Sequence, residues 1–294
     1  LYGSRDARRD RAYSIFYVGI NIGAFFSPLV CGTLGETLGW HYGFASAGVG
    51  MSVGLAIYLM GKNALPAHDA PPDEAAPAQE GVSLRAALLG LALLFLPSAL
   101  FWAAYEQQGN TIALFAQGSD RAIGFGAWKV DIPVTWFQSF NPLMIFAFTP
   151  LVVGLWARLA KSGREPSTVA KLWTGCFGLA LGYLVLALGA ALSEGTQASW
   201  LWLLAYFVVI TFAELYFSPI GLSLVSSMAP QKSRSLVMGL WLASTFTGNL
   251  AAGWLGSLWS RLPPTTFFLV VAGVSATAGL LLIAARRKLG ALLP

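Results

Sequence analysis

The chain has 294 residues, 56% of them apolar and only 11% charged, with a formal net charge of +5 and a mean hydropathy of +0.65. An ordinary soluble domain carries about 25% charged residues, so the composition excludes that class and points to an integral membrane protein. The 18 basic residues are scattered along the chain rather than gathered on one face, which excludes a nucleic-acid partner.

A membrane span needs about 20 mainly apolar residues. Eight runs meet this in chain order: 12–34, 42–61, 83–117, 138–158, 169–192, 198–228, 236–258 and 265–287. All are too long and too continuously apolar for barrel strands, so the expected fold class is all-α, a bundle of eight transmembrane helices. The third and sixth runs exceed one perpendicular helix, and tilt or extension past the bilayer absorbs the surplus. Cys31 and Cys176 both fall in apolar runs and read as buried, inert thiols rather than a metal or disulfide framework. The chain opens on Leu1 in a charged stretch rather than on Met or a signal peptide, as expected of a piece of something longer.

The positive-inside rule orients the runs. With the N-terminus in the cytoplasm, 15 of the 18 Lys and Arg residues fall inside; only Arg121, Lys129 and Arg261 fall outside. The net charge therefore reports topology, and both ends of the chain are expected in the cytoplasm. The stretch 63–82, rich in Ala, Pro and acidic residues, reads as a flexible cytoplasmic linker. It divides the chain into residues 1–62 with two helices, the linker 63–82, and residues 83–294 with six. Six spans make half of a major facilitator transporter, and the first pair then ends a preceding half.

Two carboxylates interrupt the apolar pattern. Eleven of the 13 Asp and Glu residues lie in polar connections, but Glu106 and Glu214 lie within long apolar runs. A charge at mid-membrane costs about 2.5–3.5 kcal/mol on insertion scales and by default marks function. In the first run, Tyr17 and Asn21 share a helical face, and Gly19 with Gly23 forms a small-xxx-small pair that admits a neighbouring helix. Asn21 reads either as a packing hydrogen bond or as a substrate or gate residue. In the third run, Trp102, Glu106 and Asn110 recur every four residues, flanked by Gln107 and Gln108. An aromatic wall, a carboxylate and an amide make a ligand lining. The alternative is a structural ion pair, whose cation must come from elsewhere because no Lys or Arg lies deep in these runs. An unpaired carboxylate there tends to stay protonated.

In the fourth run Asn141 precedes Pro142 and reads either as a helix cap or as a binding residue. In the sixth, Glu214 and Ser218 share a face, Pro219 removes the hydrogen bond to the Leu215 carbonyl, and Gly221 follows, which suits a gate that bends. In the seventh, Trp241, Ser244, Thr245 and Gly248 form a stripe that reads as packing or as part of a site. Ser-His-Asp, His-Glu-x-x-His, Walker-type and Cys-x-x-Cys patterns are missing from the sequence, so no enzyme activity and no cofactor are expected.

Phe16-Tyr-x-x-Ile-Asn-x-Gly, Trp102-x-x-x-Glu-Gln, Gln138-Ser-Phe-Asn-Pro and Glu214-Leu-x-x-Ser-Pro-x-Gly-Leu-Ser, followed by Met228-Ala-Pro, together resemble the proton-coupled oligopeptide transporters of the major facilitator superfamily. The similarity runs through essentially the whole chain. It implies that the eight spans are helices five to twelve of twelve, with the family's first-helix ExxERFxYY motif and fourth-helix lysine outside this chain. It implies symport of di- and tripeptides with protons, in a bacterial inner membrane. By resemblance Asn21, Asn141 and Glu214 contact the peptide, with Glu214 reading its ammonium; Tyr17 and Ser218, on the faces of Asn21 and Glu214, are assigned to the same binding site. Trp102, Trp241 and Ser244 line side-chain pockets, and Leu242 stands where members often carry an aromatic residue. By the same resemblance Glu106 is the proton-linked carboxylate of the second half, interacting with an arginine of the absent first helix; Pro219 and Gly221 are expected to form the gate from the bend described above. The lipid bilayer and the four missing helices are the other implied partners. Two alternatives remain: a proton-coupled carrier of an amino acid, sugar or drug, and a membrane scaffold that keeps the fold without transport.

Overall fold

The computed structural model describes residues 19–64, 83–125 and 128–292. Tyr17 and all but the first two residues of the expected linker lie outside them. Among the described residues, seven helices are long and apolar enough to cross a membrane. The first run, α1, is helical from residue 19 to 38, with a π-helical turn at Pro28–Gly32. Pro28 supplies the cause, since it cannot donate to the preceding turn and the ladder widens around it. Gly39 joins α1 to α2 (Trp40–Gly61) with φ at +119°, a backbone region that favours glycine.

Helix α3 covers Leu84–Gln117 and starts on Ser83, whose hydroxyl accepts from the Ala86 amide at 3.1 Å. A short antiparallel hairpin, β1 (Ala122–Phe125) and β2 (Trp128–Asp131), follows with Ala122 opposite Asp131. It departs from the purely helical expectation and lies in a connection that carries too few apolar residues to span. A 3-10 turn at Val134–Ser139 leads into α4 (Phe140–Lys161). Then come α5 (Thr168–Leu192), α6 (Leu201–Met228), α7 (Arg234–Gly256) and α8 (Pro264–Leu292). Each helix falls within a few residues of its predicted run.

Helix α5 packs against both α6 and α8, α3 packs against α7 and α8, and α4 lies on α6. Lipid tails are as apolar as these side chains, so close van der Waals fit rather than water exclusion holds such helices together. Glycines make the fit possible. A Cβ on Gly175 of α5 would meet the Ala213 carbonyl of α6 at 2.8 Å. A Cβ on Gly248 of α7 would meet the Trp102 side chain at 2.5 Å and the Ala99 carbonyl of α3 at 2.8 Å. Gly19 and Gly23 differ: no described residue lies within 4 Å of a Cβ built there, so the expected close helix contact is not made among the described residues. Phe101 and Phe217 stack with ring centroids 3.7 Å apart, fixing α3 on α6 near the two intramembrane glutamates.

Candidate functional site

The long third run is not one tilted helix. Its α-helical part stops at Tyr105, Glu106–Gly109 form a 3-10 turn, and the helix resumes at Thr111 after Asn110 at φ −120° and ψ −98°. Backbone groups released inside a membrane must find partners, and here side chains supply them. Gln107 Nε2 donates to the Ala103 carbonyl at 3.1 Å and to the Ala252 carbonyl of α7 at 2.8 Å. The Tyr183 hydroxyl donates to the Ala104 carbonyl at 2.6 Å, and Gln108 Nε2 to the Tyr105 carbonyl at 3.3 Å. Gln138 Nε2 donates to the Gln108 carbonyl at 2.6 Å. Gln107 and Gln108 are buried and serve this break rather than a lining.

The break corrects the expectation of a continuous Trp102, Glu106 and Asn110 face. Trp102 and Glu106 are half-buried, one turn apart, at the end of the α-helical part. Past the 3-10 turn the register changes, and the Asn110 amide lies where a side chain on Gly256 of α7 would stand. Glu106 thus sits at a helix end, where the backbone can bend.

Glu214, in the middle of α6, has polar neighbours from two other helices. Asn141 Nδ2 donates to its carboxylate at 2.8 Å and lies 3.3 Å from the Thr211 hydroxyl. Asn141 is the second residue of α4, whose N-cap position is Ser139, so the capping alternative is overturned and its amide reaches across to α6. The hydroxyl of buried Tyr105 is a further neighbour of Glu214, and Glu106 follows Tyr105 directly in the chain. The two anomalous glutamates therefore share one cluster. The sequence reading missed Tyr105 and Thr211. Thr211 was within reach, three residues before Glu214 on the same helical face. Tyr105 adjoins Glu106 but points elsewhere on an ideal helix, and only the packing of α3 on α6 brings it to Glu214.

The remaining predicted residues divide. Asn21 is buried at 6% exposure on α1. Trp102 Nε1 and Ser218 Oγ are buried without a hydrogen-bond partner among the described residues. Unpaired buried donors of this kind call for an explanation, and a polar ligand is one. Trp241 and Ser244 are placed in helix contacts instead. Ser244 is fully buried, donating to the Trp241 carbonyl at 2.6 Å and paired with Ser98 of α3 at 3.0 Å. The Trp241 ring rests on Gly221, where a Cβ would stand 2.7 Å from it. Gly221 is thus a seat for an indole, and α6 stays helical from Leu201 through Pro219 to Met228.

The sequence profile described as "PTR2: POT family" matches residues 1–77 and 76–268. Over 87% of its length the chain is 32% identical to "Peptide transporter YePEPT" of Yersinia enterocolitica subsp. palearctica. It covers 63% of that relative, less than two thirds of its length. It is 27% identical over 98% of its length to a "Di-/tripeptide transporter" of Lactococcus lactis subsp. cremoris, and covers 70% of it. Among solved structures it is similar to a peptide transporter POT in complex with sulfate, with a TM-score of 0.85 and 27% identity over 99% of this chain and 70% of that one. A mutant of a peptide transporter POT in complex with alafosfalin gives 0.84 and 27%, over the same shares of the two chains.

Proposed function

The chain belongs to the POT family of membrane transporters and is not an enzyme, and on that premise we propose that it forms the larger part of a proton-coupled symporter of di- and tripeptides. Its helices follow the major facilitator fold of that family. The observation that carries the reading is the cluster in which Glu214, held by Asn141 at 2.8 Å, shares an apolar bundle with Glu106 at the break of α3. Glu214 offers a fixed anion to a peptide ammonium. Asn21, Asn141 and Ser218 offer amides and hydroxyls to its backbone, and Trp102 a wall, with Trp241 and Ser244 behind it. Glu106 takes the proton. Proton uptake there removes one of two neighbouring negative charges, and a change confined to one state shifts the balance between inward- and outward-facing forms. Moving one charge across the membrane is worth about 2.3 kcal/mol per 100 mV, which makes the potential a driving force. The coupling ion is the proton, and no cofactor is required.

The finer assignments belong to the same proposal. The membrane is a bacterial inner membrane with both ends of the chain in the cytoplasm. Residues 1–62 complete a first half and residues 83–294 form the second, joined by the linker. The test uses full-length protein in proteoliposomes. Dipeptides are expected to drive acidification of the lumen, and Glu214→Ala to lose dipeptide binding. Unchanged dipeptide affinity in Glu214→Ala refutes the ammonium role, and competition by free amino acids instead of dipeptides refutes the substrate class.

A further inference from the structure

The two spans before the linker are fastened to the rest of the chain at the turn that leads into α4. Glu36, in the last turn of α1, accepts hydrogen bonds from the Val134 amide at 3.1 Å, the Thr135 amide at 2.7 Å and the Thr135 hydroxyl at 2.7 Å. One turn earlier, Thr33 Oγ1 accepts from Trp136 Nε1 at 2.8 Å. The Ser139 hydroxyl donates to the Phe25 carbonyl at 2.8 Å. Gly32 completes the fit, because any Cβ there would overlap the Thr135 side chain.

The chemistry of the contact is specific. The amides of Val134 and Thr135 open the 3-10 turn and so have no acceptor from a preceding turn. A carboxylate satisfies both with its two oxygens and adds charge to each bond. The patch joins the end of α1 to the start of α4, at the bundle end opposite Lys62 of α2 and Arg158 and Lys161 of α4. By the charge count that end is the outer one.

We propose that Glu36 is a positioning residue of the transport cycle, which with Gly32 and Thr33 latches α1 to the Val134–Ser139 turn and holds the outer face between the two halves closed. This rests on the alternating-access reading above. Opening to the outside then requires the three bonds to Glu36 to break together. Glu36→Gln keeps the shape but removes the charge and places an amide donor among donors. Charge-assisted bonds at an exposed site set the size of the effect, roughly a tenfold rise in the open-to-closed ratio.

The experiment places spin labels at Leu38 and Ile123, both exposed, in the full-length protein and reads their distance distribution by pulsed electron resonance. Glu36→Gln and Gly32→Val are each expected to move population to longer distances, with Glu36→Asp partly restoring the short one. In Glu36→Gln, which adds no heavy atoms to the contact, the unfolding temperature and dipeptide affinity in detergent should stay at their wild-type values, which a merely structural role would not allow. If Gly32→Val does not fold, Thr135→Val takes its place. An unchanged distance distribution in Glu36→Gln and its companion variant overturns the latch. Absence of peptide-driven acidification in the wild type overturns the transport reading instead, and leaves the latch to be judged on the distances.

Discussion

Glu214 and Glu106 differ in what surrounds them, and the difference supports separate roles. Glu214 is tied to Asn141 and neighboured by Thr211 and Tyr105, so its carboxylate is held in place from two other elements. A held anion suits recognition, because its orientation is prepared before a ligand arrives. Glu106 has no ion-pair partner among the described residues and stands at the end of the α-helical part of α3, so no described cation fixes its charge. Glu106→Gln, a permanently neutral side chain of the same size, is therefore expected to abolish uphill, proton-driven dipeptide uptake in proteoliposomes while counterflow exchange persists. Concentrative uptake at the wild-type level in that variant would remove Glu106 from the proton path. Both glutamates were visible in the sequence because a carboxylate in an apolar run is costly wherever its partner lies. Asn141 was visible only as an ambiguity, since its partner is 73 residues away.

At the scale of elements, glycine contacts decide which helices meet. Gly248 lets α7 lie directly on α3 at Ala99, Trp102 and Ala103, beside the Ser244 and Ser98 pair. Valine at position 248 forces backbone atoms of α3 to move, and overpacking of this kind costs about 1–3 kcal/mol. Gly248→Val is accordingly expected to lower the unfolding temperature in detergent, whereas Gly253→Val, with nothing within 4 Å, leaves it unchanged. Equal unfolding temperatures for the two variants would show that α7 and α3 do not meet as closely as described. The sequence stripe of Trp241, Ser244, Thr245 and Gly248 is legible as one helical face, but not as a face turned to α3 and α6. The same limit applies to α3. Its length announces a long run, whereas its break at Glu106 depends on Gln107, Tyr183 and Gln138 arriving to satisfy released carbonyls.

For the whole molecule, the charge count predicts one orientation of the helices. Single cysteines at Ser162, after α4, and at Thr196, between α5 and α6, lie at opposite ends of the bundle. In a background with Cys31→Ser and Cys176→Ala, a membrane-impermeant thiol reagent added to intact cells is expected to label Thr196→Cys and not Ser162→Cys; the reverse pattern inverts the orientation. What the sequence by itself determined is the class of the molecule, the runs within a few residues and the two costly glutamates. Each of these follows from local, additive transfer free energies of side chains between water and lipid, which need no knowledge of neighbours. Tertiary structure alone decided that Glu214 is held by Asn141, that Gln107 serves a broken helix, that Gly221 seats Trp241, and that Glu36 fastens α1 to a turn about 100 residues later. These are partner choices across long stretches of chain, and they are made by packing geometry that no local composition encodes.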